Sequence, residues 1–406
     1  MIHSAFLRCT QPCISDFAWY NKKDRKLTQK GEKWVEKELL QEKADVFSAF
    51  RLDGEAISAT RYGSGHINET FRVVTRKADG ATGHYVIQRI NTKVFTEPEK
   101  LMENILKVTA FLREQIIENG GDPDRETLNF IMTRDGKPYY KDESGNCWRS
   151  YLYVEDAVAY DRVEDPEDFY QSAVAFGNFQ RRLADYPAAS LYEIIPGFHD
   201  TAARLEVFKK AVAEDVCGRA AGVQEEIAFY LSRENLAHIC GDLLEKGEVF
   251  LRVTHNDTKL NNVLIDKKTH KGICVIDLDT VMPGLAMHDF GDAIRFGAST
   301  GAEDETDLSK IRCDMELFRL YAKGFMEGCG GKLTPREIQL LPLGALVMTY
   351  ECGMRFLTDY LQGDAYFRIH RPGHNLDRAR TQMTLLQDME TKRETMDGII
   401  RELLAK

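Results

Sequence analysis

The sequence predicts an α+β fold of two lobes, a β-rich N-lobe followed by a large helical C-lobe. Three observations predict it. Strand patterns flank a Gly-rich turn between residues 58 and 74. Helical periodicity dominates from about Asp165 to the C-terminus. A strand–loop–strand segment at about 251–279 interrupts those helices and gathers the polar residues that carry chemistry.

Taken in order, residues 1–45 read as an extension. The stretch 21–43 is dense in Lys and Glu and reads as a solvated helix. Residues 46–155 form the N-lobe, with the features of a nucleotide-binding unit. Its turn runs Arg61-Tyr62-Gly63-Ser64-Gly65-His66-Ile67-Asn68-Glu69-Thr70, between Ile57 and Phe71-Arg72-Val73-Val74. Glycines there let backbone N–H groups approach phosphates closely. A second strand covers 85–90. The next helix opens at Thr96-Glu97-Pro98-Glu99, which has the form of a capping box with Pro in the first turn. Leu101, Ile105, Val108, Leu112 and Ile116 then recur at helical spacing and mark a core face. Asp135-Gly136 predicts a hairpin between 129–133 and 138–140, and 148–154 is a further strand. It runs into Glu155-Asp156, the expected hinge. The C-lobe, 156–406, holds helices at 169–183, 204–213, 225–231, 236–244, 308–326, 334–360 and 376–405.

Bulk properties narrow the function. The 406 residues are 43% hydrophobic and 29% charged, ordinary for a globular protein. A formal net charge of −10 argues against a nucleic-acid binder, which needs a basic face. Nine Cys without a C-x-x-C pair read as free thiols in a reducing compartment. Arg8, Gln11, Pro12 and Asp16 break any signal-peptide core, and the apolar runs read as too short to span a membrane. The expectation is a cytoplasmic monomer.

The chemistry lies in Thr254-His255-Asn256-Asp257-Thr258-Lys259-Leu260-Asn261-Asn262 and the following Val275-Ile276-Asp277-Leu278-Asp279. Asn262 comes five residues after Asp257, and Asp277 twenty after it. Phosphoryl transfer needs one carboxylate for the attacking hydroxyl, and an Asn and an Asp to hold Mg²⁺ against phosphates. Asp257 takes the first role, Asn262 and Asp277 the second. Asn256 stands where a protein kinase has Arg, which points to a small-molecule acceptor. His255 orders the loop. Lys259 either reaches the γ-phosphate or is merely exposed. Asp279 is a second ligand or a supporting partner, on the same face as Asp277 if the strand continues. Asp289-Phe290-Gly291 spells the protein-kinase metal motif but lies 32 residues past Asp257, so Asp289 and Asp292 are expected to hydrogen-bond the catalytic loop. Kinase-like folds place a Lys near residue 89; here Arg89 holds phosphates bidentately or makes an ion pair.

On these residues the chain resembles the aminoglycoside phosphotransferase and choline kinase superfamily, whose H-x-D-x-x-x-x-N loop matches His255, Asp257 and Asn262. It is similar in particular to the bacterial N-acetylhexosamine 1-kinases. That likeness extends through Gly65-His66-Ile67-Asn68, Gln88-Arg89, Arg252–Asn262, Ile276–Thr280, Met282-Pro283-Gly284, Asp289–Asp292, Ile294–Thr300 and Glu351–Leu357, within residues 50 to 400. The resemblance implies a protein-kinase-like fold. It also implies ATP and Mg²⁺ as cofactors, and transfer to the anomeric hydroxyl of GlcNAc or GalNAc. Gly63, Gly65, His66, Asn68, Arg89, Glu155 and Lys259 would surround the nucleotide, and Arg355 and Tyr366 would line the sugar site. Arg355 can instead pair with Asp359 one turn on. The competing readings are a kinase of choline, homoserine or an aminoglycoside, and a nucleotide-binding pseudokinase. A cationic acceptor needs an acidic or aromatic cage. Arg355, Arg368, Arg371, Arg378 and Arg380 favour a neutral or anionic one.

Overall fold

A computed structural model describes residues 39–63 and 68–405; Gly65, His66 and most of the charge-dense 21–43 stretch lie outside them. A short helix α1 (Ala44–Ala49) leads into strands β1 (Glu55–Arg61), β2 (Glu69–Arg76) and β3 (Thr82–Ile90). Helices α2 (Pro98–Glu118) and α3 (Pro123–Glu126) follow, then β4 (Phe130–Ile131), β5 (Tyr140–Lys141), β6 (Cys147–Leu152) and β7 (Ala157–Val158). Next come α4 (Pro166–Arg182), α5 (Thr201–Glu214), α6 (Gln224–Leu231) and α7 (Asn235–Glu245). The segment β8 (Arg252–Thr254), β9 (Val263–Asp266), β10 (Gly272–Val275) and β11 (Met282–Gly284) interrupts them. The chain ends with α8 (Ala286–Gly297), α9 (Met315–Cys329), α10 (Pro335–Leu361), α11 (His374–Thr391) and α12 (Arg393–Leu404).

The N-lobe is one antiparallel sheet in the order β1-β2-β3-β6-β4, with β5 also on β6. Alternation explains it: Phe71, Val73 and Ile87 point inward with Phe50 and Trp148 to form a separate small core. Helix α2 buries the predicted stripe Leu101, Ile105, Val108, Leu112 and Ile116, and this stripe joins the large core of the helical region.

Several local expectations fail for physical reasons. The Thr96–Glu99 capping box does not form: α2 starts at Pro98 without a side-chain cap, and Glu99 accepts a hydrogen bond from Tyr139 instead. A true capping box occurs at Thr334–Glu337, opening α10. The two strands around Asp135-Gly136 do not pair with each other; β4 and β5 each pair with β6. The 376–405 periodicity divides into α11 and α12, and 308–326 into a 3₁₀ turn and α9. Helix α10 is long and apolar enough to cross a membrane, with mean hydropathy 1.2 over eighteen residues, which the reading of short apolar runs missed. Within the protein 83% of that window is buried, so its apolar length serves the core.

Helices α8 and α10 touch backbone to backbone. A Cβ on Gly291 would sit 2.2 Å from the Gly344 carbonyl oxygen, and one on Gly344 would sit 2.1 Å from that of Met287. Gly291→Ala gains about 1 kcal/mol of helix propensity but forces the helices apart, an overpacking cost of about 3 kcal/mol. The expected net loss, about 2 kcal/mol, is read from denaturant unfolding; unchanged stability would mean the helices separate freely.

Candidate active site

The catalytic loop leaves β8 at Thr254 and is held from below by α8. Backbone N–H groups of His255 and Asn256 donate to the Asp289 carboxylate at 3.0 and 2.8 Å. Thr258 N–H donates to Asp292 at 3.1 Å, and the Thr258 hydroxyl to the Asp289 carbonyl. Asp289 and Asp292 thus do what the sequence suggested: they anchor the loop, and the Asp-Phe-Gly segment spends its carboxylate on backbone N–H groups of the loop. His255 also orders the loop. Its Nε2 donates to the Ile276 carbonyl at 2.9 Å, so its Nδ1 is free to accept from Asp257 N–H at 3.3 Å.

Asn256 has φ +63°, the left-handed region that Asn tolerates better than most side chains. Its amide donates to Thr280 O at 2.8 Å, and its Oδ1 accepts from the Thr254 hydroxyl at 2.9 Å. This backbone requirement accounts for Asn at a position where an Arg side chain would be the looser fit.

Asp257 is half-buried at the cleft. Lys259 Nζ lies 2.6 Å from one oxygen, and Asn262 Nδ2 donates to the other at 3.1 Å and to the Asp257 carbonyl at 2.8 Å. Burial pushes the Asp257 pKa up, but Lys259, His255 and Arg295 outweigh it and hold the carboxyl below its usual range. Lys259 shifts upward through Asp257 and Asp292. The lysine is therefore a partner of the Asp257 carboxylate rather than an exposed side chain.

Strand β10 stops at Val275, and Asp277 follows in a left-handed turn at φ +59°. The alternation argument for Asp279 fails there because the chain turns into a 3₁₀ segment. Asp277 is exposed. Its pKa is pushed up to about 7 by its protein surroundings and by the charges of Asp279 and Asp257. Such crowded oxygens suit a divalent cation, which would relieve the repulsion. Among the described residues no group of three or more His, Cys, Asp or Glu has the arrangement of a protein-only metal cage. Asn262 and Asp277 would hold Mg²⁺ as a sparse pair, with phosphate oxygens completing its shell.

Asp279 is 2% exposed and pairs with Arg149 of β6, itself 2% exposed. The Arg149 guanidinium also reaches Gln88 at 2.9 and 3.1 Å. Asn68, at the exit of the Gly-rich turn, donates to Asp279 at 2.6 Å and accepts from Asn91 N–H. Arg89 pairs with Glu69 at 3.1 Å, with a side chain 44% exposed, and lines one cavity with Gly63, Asn68 and Asn91. The charged group at the lobe junction is thus Arg149, one strand over and in register with Gln88. Sequence reading missed it because strand pairing had not yet placed β6 beside β3. Gly63 ends β1 in a left-handed turn, and Glu155 at the hinge pairs with His84.

On the other side of the loop, Arg355 does not pair with Asp359. The Asp359 carboxylate instead accepts N–H bonds from Ala365, Tyr366 and Phe367 at 2.8–2.9 Å, and one from Asn375. It thereby shapes the loop carrying Tyr366. The Arg355 guanidinium lies 5.5–5.8 Å from the ring centroids of Phe198, Tyr366 and Phe367 and makes no ion pair among the described residues. Arg204 of α5 stands close by: burial and the Arg355 charge lower its pKa. Its Nε is buried without a hydrogen-bond partner among the described residues. Arg371, Arg378 and Arg380 are tied to Asp377, Glu303 and Glu226 within the helical region.

The match to a family model decides the class: residues 58–314 fit the one described as the phosphotransferase enzyme family, APH. The chain belongs to the phosphotransferase enzyme family. Solved structures agree on the kinase-like fold of this phosphotransferase. A spectinomycin phosphotransferase, solved with ADP and spectinomycin, superposes with TM-score 0.54 at 12% identity, covering 87% of this chain and 98% of that one. An amicoumacin kinase solved with AMP-PNP, Ca²⁺ and amicoumacin gives 0.52 at 10%, covering 90% and 96%. An ethanolamine kinase of Plasmodium vivax gives 0.50 at 14%, covering 80% and 81%. The fold class read from the sequence is therefore correct: an antiparallel N-lobe and a helical C-terminal region. In this chain Lys259 and Asn262 contact Asp257, and Asp277 stands close enough to feel the charges of Asp257 and Lys259.

Proposed function

We propose that this phosphotransferase is an ATP- and Mg²⁺-dependent kinase of the anomeric hydroxyl of N-acetylhexosamines, acting in the cytoplasm. The observation that supports this reading over a choline- or aminoglycoside-type acceptor is the charge beside Arg355. Two guanidiniums, Arg204 and Arg355, stand together there, and the carboxylates near them are already engaged. Glu351 is taken by His199 at 2.8 Å and Thr201 at 2.7 Å, and Asp359 by backbone amides. A cationic acceptor would meet repulsion. A sugar offers hydroxyl and carbonyl oxygens to the guanidiniums and an apolar ring face to Phe198 and Tyr366.

In this reading Asp257 receives the proton of the attacking hydroxyl as the new O–P bond forms and the bridging bond to the leaving nucleoside diphosphate breaks. Lys259 and Asn262 fix which carboxylate oxygen faces the acceptor. Mg²⁺ held by Asn262 and Asp277 supplies charge neutralisation to the phosphates. Asn68 and Arg149 brace Asp279 so that the turn carrying Asp277 keeps its shape.

The test is ADP release with Mg·ATP across GlcNAc, GalNAc, glucose, galactose, choline, homoserine and kanamycin, followed by ³¹P NMR of the product. Turnover is expected on the N-acetylhexosamines, with phosphate on C1. Arg355→Gln should raise the acceptor KM by about tenfold or more while leaving nucleotide affinity intact. Turnover on choline or kanamycin with silence on both N-acetylhexosamines would discard the sugar assignment.

A further inference from the structure

We infer that His199 is a positioning residue that holds the peptide plane immediately before Asp257, bridging Glu351 and the Asn256 carbonyl. Its Nδ1 lies 2.8 Å from Glu351 Oε1 and its Nε2 lies 3.3 Å from Asn256 O. Both ring nitrogens thus face an oxygen, one on α10 and one on the loop.

The Asn256–Asp257 peptide is then gripped at both ends. His199 takes its carbonyl, and His255 Nδ1 takes its N–H. A peptide unit is planar, so fixing both ends fixes the plane from which the Asp257 Cα departs. The grip matters because Asn256 is left-handed, at φ +63°, and a flip of this plane would release that conformation.

The surroundings keep Glu351 available to His199. Glu351 of α10 is buried; despite burial, His199 first, then Arg355 and the Thr201 hydroxyl, bring its pKa to about 2, so it is an ionised acceptor. His288 of α8 packs 5.1 Å away, ring to ring, and its pKa is pushed down to about 3 by burial and by His199. His288 therefore stays neutral and does not compete for Glu351. From α5, Arg204 adds positive charge near Glu351, and Asp200 lies near Arg204. Glu351 sits one helical turn before Arg355, so the same carboxylate joins the acceptor-facing helix to the catalytic loop.

The inference rests on Asp257 being the phosphoryl-transfer carboxylate, and not on which alcohol is the acceptor. The experiment uses the full chain, Mg·ATP and whichever acceptor the panel identifies. It compares wild type, His199→Ala, His199→Gln, Glu351→Gln and Asp257→Asn. His199→Ala should lower kcat about 100-fold, the scale of a misplaced reacting group, while Mg·nucleotide affinity moves less than about threefold. His199→Gln, whose amide donates to one of the two acceptors, should recover about tenfold of that loss. Glu351→Gln keeps the volume and should lower kcat in the same direction, which covers the case in which His199→Ala fails to fold. A His199→Ala enzyme within about twofold of wild-type kcat sinks the inference. So does a kcat loss matched by an equal loss of nucleotide affinity, the mark of a general structural defect. An inactive Asp257→Asn beside an undisturbed His199→Ala rejects this inference alone; an active Asp257→Asn rejects the phosphoryl-transfer reading with it.

Discussion

Asp257→Asn is expected to lower kcat by about 10³-fold, within the 10²–10⁴ range for losing a positioned proton acceptor. Nucleotide binding should survive, because in the proposed mechanism Asp257 serves the acceptor hydroxyl and Asn262 and Asp277 serve the metal. The amide keeps the shape and can still accept a bond from Asn262 or Lys259, but it cannot take a proton. The residual rate then measures what positioning and electrostatics contribute without a base. A secondary effect should appear in Lys259. It lies 2.6 Å from the Asp257 carboxylate, which is among the groups raising its pKa. Neutralising Asp257 frees the lysine, so Lys259→Met combined with Asp257→Asn should cost less than the two single changes summed. Steady-state kinetics with nucleotide titration check both statements; an Asp257→Asn enzyme with wild-type kcat would falsify the assignment of Asp257.

How legible this site was in the sequence depended on how local its contacts are. Asp257, Lys259 and Asn262 belong to one short loop, so spacing alone brought them together. Asp289 and Asp292 were readable as loop anchors because a strand-to-helix turn separates them from the metal position. The helical stripe of α2 was equally plain, since five apolar residues at 3–4 residue intervals leave one face to bury. What the sequence hid are contacts made across long separations. Arg149 meets Asp279 across 130 residues, Asn68 meets Asp279 across 211, and His199 meets Glu351 across 152. No periodicity encodes such pairs. Arg89 makes the ion pair that was one of its two readings, because register sets it opposite Glu69, and it also lines the cavity beside Gly63 and Asn68. The Arg355–Asp359 pair, by contrast, does not form. Spacing of four allows the contact, but three backbone N–H groups of the following loop compete for that carboxylate and win.

Asp277→Asn should separate function from stability most sharply. Among the described residues, Asp257, Asp277 and Asp279 crowd their charges at the end of β10, and only Asp279 has a guanidinium in direct contact. The pKa of Asp277 is pushed up to about 7 by that crowding and by its surroundings, so its charge is unfavourable in the metal-free protein. The sign follows from linkage: a carboxyl whose folded pKa is raised binds its proton more tightly when folded. It therefore destabilises the metal-free fold increasingly as pH rises from the ordinary Asp range of about 4 towards 7, and the deficit is constant above. Asparagine removes that charge. The metal-free Asp277→Asn protein should melt a degree or two higher than wild type at pH 8, since solvent screening at this exposed carboxylate leaves about 1 kcal/mol of the effect. At pH 4 the two should melt together, since both then carry a neutral group. Turnover should fall by about 10³-fold or more, because a neutral amide binds a hard divalent cation far less well than a carboxylate. Added Mg·ATP should raise the wild-type melting point and leave the variant's nearly unmoved. Melting curves at pH 4 and 8, with and without Mg·ATP, read all of these at once. An Asp277→Asn protein that is less stable than wild type at pH 8 without metal would show that Asp277 is held by native hydrogen bonds. It would then be a structural residue, and the divalent-cation role would pass to another oxygen ligand beside Asn262.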